Sequence, residues 1–273
     1  RPSPERGAVG DDGLVFSSAV TRQLGRFTSA QSQGGVDRSV VLGDGDLLIQ
    51  SASGERIPIR GARPKDDDVS VRDQLGSALA KAGAINASTS QHGVTAIAGP
   101  TVTLSDRSTE AMTLSQAHYF RVNDVEITGL TIQEGDADGV LAGAINAVSN
   151  QAGVQATASS DGRLRLMAID GRNITVDAYG EATKLGLTPR GAGQAETRTT
   201  GGALTLSSRG FFTFSSSGLG GDVSRALGSV SAVPTSQSFD GLDLKTSRGV
   251  IDALSVIDLA LADLSKIWEV IEG

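Results

Sequence analysis

A chain of 273 residues is long enough for two or three small cores, because single cores stop growing near this length. Aromatic residues make up 4%, there is one Trp, and 35 glycines accompany abundant Ser, Ala and Thr, so the interior must be built from small aliphatic side chains and tight turns. A formal charge of -7 argues against a nucleic-acid or anionic-lipid surface, and the absence of Cys excludes disulfides, thiolate chemistry and Cys-ligated metal centres.

Residues 1–35 show no periodic pattern and form an N-terminal segment without an assigned structure. The opening Arg1-Pro2-Ser3-Pro4-Glu5-Arg6 lacks the apolar stretch of a signal peptide, and no apolar run approaches the length of about 18 residues that spans a bilayer. A soluble chain without a membrane partner is expected, cut from something longer.

Next comes a strand pair, Asp46–Gln50 and Arg56–Ile59, turning at Ser53-Gly54-Glu55. A helix over about Val71–Ser88 follows, ended by a Gly-containing turn and succeeded by a strand from Val94. The same order then recurs: a hairpin Tyr119–Val122 and Val125–Ile127 with Asn123-Asp124 as its turn, a helix over about Gly139–Ser149, and a strand from Val154. Laying Ala82–Ala98 over Ala142–Ala158, an offset of 60, leaves 11 of 17 positions identical, which chance explains poorly. The shared positions include Ile85, Asn86, Gly93 and Val94, matched by Ile145, Asn146, Gly153 and Val154. After the second copy, Val154–Ala158, Leu164–Ala168 and Ile174–Val176 read as a β-meander with Asp-Gly turns at Asp161-Gly162 and Asp170-Gly171.

The last segment has apolar residues at Val250, Leu254, Ile257, Leu261, Leu264, Trp268 and Ile271, a 4-3 spacing that forms a coiled-coil seam. Thr246 or Ser247 is placed to cap this helix, whose roughly 25 residues would span about 37 Å. A helix of this kind needs a partner.

The fold expected is therefore α+β: mainly antiparallel hairpins and meanders with short helices packed on them, two related repeat units, and a long C-terminal amphipathic helix. The divisions are 1–35, a first α+β unit at 36–110, a second at 111–190, a β-rich connector at 191–245, and the coiled-coil helix at 246–273.

These residues resemble the bacterial flagellins whose outer region carries the flagellin IN repeat, named for an Ile-Asn pair seen here as Ile85-Asn86 and Ile145-Asn146. The pattern of Asn-Asp turn, Ala-Ile-Asn-Ala helix, Gly-Val-x-Ala strand and Asp-Gly-x-Leu hairpin is similar to Val122–Leu164, and Thr246–Leu261 is similar to the start of the flagellin C-terminal core helix. The likeness covers about residues 40–265; after Leu264 the family pattern gives way to Lys266-Ile267-Trp268-Glu269. The resemblance implies a structural filament subunit that is secreted and extracellular, acts in motility, needs no cofactor, and has other flagellin subunits as partners. It also implies that most filament-forming helices lie outside this chain, so the fragment alone should not polymerise. The alternatives are another axial protein, such as a filament cap or hook-filament junction protein, and a surface glycan-binding adhesin module, which would want an exposed aromatic platform.

Nothing in the sequence points to an enzyme: no Gly-x-Ser-x-Gly elbow and no His-Glu-x-x-His motif occurs. His92 and His118 have no carboxylate or thiol at ligand spacing, and His92 stands where the other copy has Ala152, which favours a surface turn. Asp66-Asp67-Asp68 and Asp136-Ala137-Asp138 suit helix N-capping better than calcium binding, since the twelfth position of the second loop is Ala147. The sequons at Asn86 and Asn173 sit inside predicted elements; O-linked glycans on exposed Ser or Thr fit the family better, at positions the sequence does not specify.

Overall fold

The computed structural model describes residues 28–33, 35–50, 54–189, 195–208, 212–216, 227 and 229–233. Apart from Thr28, all lie in one compact unit, Ser29–Val233. The expected C-terminal helix and its seam, Val250 to Ile271, lie outside the described residues, as does most of the segment 1–35.

The strands are β1 (Thr28–Gln33), β2 (Leu47–Gln50), β3 (Arg56–Pro58), β4 (Val94–Ala98), β5 (Thr101–Leu104), β6 (Met112–Thr113), β7 (Phe120–Val122), β8 (Val125–Ile127), β9 (Thr131–Ile132), β10 (Gln155–Ala158), β11 (Leu164–Ala168), β12 (Ile174–Tyr179), β13 (Ala195–Thr200), β14 (Leu204–Ser208), β15 (Thr213–Ser216) and β16 (Ser229–Val233). The helices are α1 (Ala78–Asn86), α2 (Thr89–His92), α3 (Val140–Ala147) and α4 (Ser149–Ala152), with 3-10 turns at Pro64–Asp66, Gln74–Gly76, Glu134–Asp136 and Gly180–Leu185. The architecture is mixed helix and antiparallel strand.

Among the described residues two apolar cores form. The first gathers Leu42, Leu47, Ile49, Ile59, Ile85, Val94, Leu204 and Leu206, where α1 lies on a sheet of order β16-β1-β14-β4 beside the sheet β15-β2-β3. The second gathers Phe120, Leu141, Ile145, Leu164, Leu166, Ile174 and Val176, from α3, which packs on β10, and from the sheets β10-β11-β5 and β13-β12-β7-β8. Each aliphatic side chain buried in full contributes roughly 1.5–3 kcal/mol, so these short elements hold through tertiary packing rather than propensity.

Both expected hairpins form. β2 pairs with β3 through Gln50↔Arg56, and β7 with β8 through Val122↔Val125. Asn123 and Asp124 both take positive φ, 48° and 64°, the type I′ geometry that matches the twist of the flanking strands. The helix expected over about Val71–Ser88 is shorter still: α1 starts at Ala78, and Ser77 caps it by accepting the Ala80 N–H at 3.0 Å.

The meander holds for its first turn only. β10 pairs with β11 around Asp161-Gly162, but β12 leaves that sheet to pair with β7 and β13. The Asp170-Gly171 turn is a corner between sheets. Gly171, at φ +80°, is pressed against Gly99, where a Cβ would stand 3.0 Å from the carbonyl oxygen. A two-residue hairpin signal reports a reversal of direction and says nothing about which sheet takes the next strand.

The segments expected as a connector are strands shared out between the two bodies: β13 joins β12, while β14 pairs with β4, β15 with β2 and β16 with β1. In the other direction β5, from the 36–110 stretch, pairs with β11 of the second unit.

Candidate functional site

The residues shared by the two copies meet at the joint between helix and strand. Ile145, on α3, is fully buried, and Asn146 beside it reaches across to β10. Its Nδ2 donates to the Ala156 carbonyl at 2.9 Å and its Oδ1 accepts the Ala156 N–H at 2.8 Å. Asn86 makes the same pair with Ala96, at 2.8 and 2.7 Å. One side-chain amide thus satisfies both backbone groups of a buried strand residue, as a neighbouring strand would, and clamps the helix C-terminus to the sheet. Asp or Leu would match the size of Asn but could supply at most one of the two bonds.

Downstream, Gly93 and Gly153 end the short helices in the left-handed region at φ 71° and 69°, donating to Thr89 and Ser149, both at 2.7 Å. Val94 and Val154 then enter the cores. In the second unit Asn123 extends the brace, donating to the Ala152 carbonyl at 2.7 Å while its Oδ1 accepts the Thr175 N–H at 2.8 Å. The turn residue therefore also ties the hairpin to the helix end.

His92 corrects the expectation of a surface turn: it is only 2% exposed. Its Nδ1 accepts the Val94 N–H at 3.0 Å, so Nε2 carries the proton and donates to the Ile85 carbonyl at 3.1 Å. Burial holds its pKa below the ordinary histidine value, and the ring stands neutral with both nitrogens used. The slot of Ala152 is itself interior, so a comparison between copies pointed inward all along.

The acidic clusters divide. Asp136 caps α3, with Oδ1 accepting from Leu141 at 2.8 Å and Oδ2 from Ala142 at 2.9 Å. Asp66 and Asp67 do not cap α1, whose N-cap is Ser77. Asp66 forms a two-pronged pair with Arg60, both contacts at 2.7 Å, whose hydrogen bonds hold its carboxyl below the usual carboxylate range. Asp67 folds its own loop by accepting from Val69 and Ser70.

A groove of about 480 Å³ between Ser108, Glu134 and Asp161 is lined by carboxylates already engaged: Glu134 accepts from Ala111, and Asp161 from Ser159 and Arg163. Among the described residues no group of three or more His, Asp or Glu side chains is arranged to hold a metal ion. The chain's two tyrosines, Tyr119 and Tyr179, stack on each other at 5.5 Å, and Arg121 lies 4.7 Å from the Tyr119 centroid. Tyr119 is thus engaged by two partners from within the protein.

Removing the brace has a measurable cost. Asn146→Ala leaves the buried N–H and C=O of Ala156 without partners, and chemical denaturation is expected to register a loss of about 2 kcal/mol or more. A loss under about 0.5 kcal/mol, typical of an indifferent surface change, would show the brace to be dispensable.

Residues 120–170, which contain this brace in the second unit, match the family profile of the flagellin hook IN motif. The chain is similar to Flagellin A of Helicobacter felis, 42% identical over 95 residues that cover 34% of this chain and 18% of that protein. It is also similar to Flagellin A of Helicobacter mustelae, 48% identical over 58 residues, 21% of this chain and 12% of the relative. Flagellin B of Helicobacter pylori is 47% identical over 58 residues, 21% and 11% of the two chains. The matched stretches span less than a fifth of the length of these relatives.

Proposed function

We propose that this chain, a relative of the bacterial flagellins through its IN motif, is a structural subunit of a flagellar filament, with residues 29–233 as its outer body and no catalytic role. The observation that carries the reading is the stem. β1 and β16 run antiparallel with Ser29 opposite Val233, so the first and last described strands of the body lie side by side. A domain hung on two adjacent strands can project from a polymer without interrupting the packing of whatever precedes and follows it.

Both units are read as copies of the IN motif. The support is the Asn brace, formed by Asn86 on Ala96 and by Asn146 on Ala156 with the same donor and acceptor atoms. The 4-3 seam from Val250 to Ile271 is read as the helix that packs with core helices of its own and neighbouring flagellin subunits, outside the bacterial cell.

The test is to place flagellin-type N-terminal helices before residue 28 and to continue the C-terminal helix of the family after residue 265, then to look for filaments by electron microscopy. Filaments bearing outward density are expected. A chain whose circular dichroism shows a folded body but which forms no filaments would overturn the reading.

A further inference from the structure

The two cores share no residue, and the join between them is polar. The chain crosses from one unit to the other at two neighbouring places, Gly99-Pro100 between β4 and β5 and Gly201-Gly202 between β13 and β14, where the Gly99 N–H donates to the Ala203 carbonyl at 2.8 Å. A Cβ at Gly202 would stand 2.8 Å from the Gly171 carbonyl oxygen and 2.9 Å from Thr101 Oγ1. Glycine is what lets three segments pass so closely, and it leaves the backbone free to pivot.

Away from these crossings the segment Asp67–Asp73 of the first unit reaches β12 and its lead-in. Ser70 Oγ accepts the Asn173 N–H at 2.9 Å, and Asn173 Nδ2 donates to the Arg72 and Asp73 carbonyls at 3.0 and 3.1 Å. Asn173 is 0% exposed. The Arg72 guanidinium continues onto the outer face of the sheet, where Nη2 donates to Asp177 Oδ2 at 2.8 Å and to Asp124 Oδ1 at 2.9 Å, and Nη1 to Asp177 Oδ1 at 3.2 Å. Arg72 has no counterpart of its kind in the second copy, where Ile132 stands sixty positions on, and Asp124 closes the β7–β8 turn as well as receiving Arg72. Arg72 thus serves the pairing of the units, since among the described residues its guanidinium bonds only to carboxylates of the second.

We propose that the glycine crossings are a hinge and that Arg72 with Asn173 is the latch that holds it at one angle, making the two units a single stiff arm. Breaking the latch lets the units swing while each keeps its own core.

The native chain has no cysteine, so paired labels report the angle cleanly. Spin labels at Lys65→Cys and Ser160→Cys, both exposed and one on each unit, are read by pulsed electron paramagnetic resonance. A narrow distance distribution is expected for the native background. Arg72→Met with Asn173→Ala is expected to broaden it at least twofold, with hydrogen-exchange protection of β4, β11, β12 and β14 retained. An unchanged width in the folded double variant, or a native distribution already as broad, would overturn the proposal. If the double variant does not fold, Arg72→Met alone decides by the same two outcomes.

Discussion

Replacing Lys81 with Met is expected to cost the first unit stability at strongly alkaline pH and to cost it little or nothing at neutral pH. Lys81 is 0% exposed, and sixty residues on its place is taken by Leu141, a core residue of the second unit. Its Nζ donates to the Asp37 carbonyl at 2.6 Å. Burial of the ammonium pushes its pKa down to about 8 from 10.5, against the opposing pull of the Asp37 carboxylate. Because the folded-state value lies below the unfolded one, the folded chain favours the neutral amine. The group therefore weakens the fold fully below about pH 8, and that handicap disappears as pH rises through the window from about 8 to 10.5.

The difference in unfolding free energy between the native chain and Lys81→Met should thus move in favour of the native chain by on the order of 3 kcal/mol from about pH 7 to about pH 11. At neutral pH the variant relieves the buried charge but strands the Asp37 carbonyl, at about 1–3 kcal/mol, so the two are expected to be close or the variant more stable. Taking the difference cancels every other titrating group that the substitution does not touch. Urea denaturation across that range checks it, and a difference that stays flat with pH would sink the account.

Gly76→Ala is expected to cost about 3 kcal/mol or more. A Cβ there would stand 1.8 Å from the Arg38 carbonyl oxygen and 2.6 Å from its carbonyl carbon, and backbone cannot swing aside as a side-chain tip can. Arg38 lies between Val36 and Val40, both seated in the first core, so moving it unseats them. The same segment carries the Asp37 carbonyl that receives Lys81. Loss of hydrogen-exchange protection at residues 36–42, with β10–β12 unaffected, is the expected signature. A change under about 0.5 kcal/mol would mean that the segment Val36–Val40 shifts freely.

Much of this fold was legible without coordinates. The Asn-Asp turn, the glycine helix ends and the alternation of β2 with β3 are signals carried by neighbours within a few residues, and they formed where expected. The pairs Ile85-Asn86 and Ile145-Asn146 were marked by their repetition alone. That each Asn binds both backbone groups of a residue ten positions on could have been suspected, since the Ala that receives it recurs in both copies at that interval.

What stayed hidden has a common cause. Lys81 and Asp177 are polar residues that sequence reasoning sends to the surface, yet each is buried because a segment distant in the chain covers it: the Asp37 backbone for Lys81 and Arg72 for Asp177. The turn at Asp170-Gly171 announced a reversal, but the sheet that received β12 was chosen by Phe120, Val122 and the register of β7.

The local chemistry of the chain, its repeats, hairpins and caps, thus follows from residue order, because each depends on atoms a few positions apart. The pairing of β1 with β16, the placing of β5 and β13 in the sheets of the second unit, and the contacts of Arg72 follow only from the folded chain. Those contacts join residues tens to hundreds of positions apart, where the choice among partners is made by whole-core packing and by the desolvation of charges, neither of which leaves a local pattern.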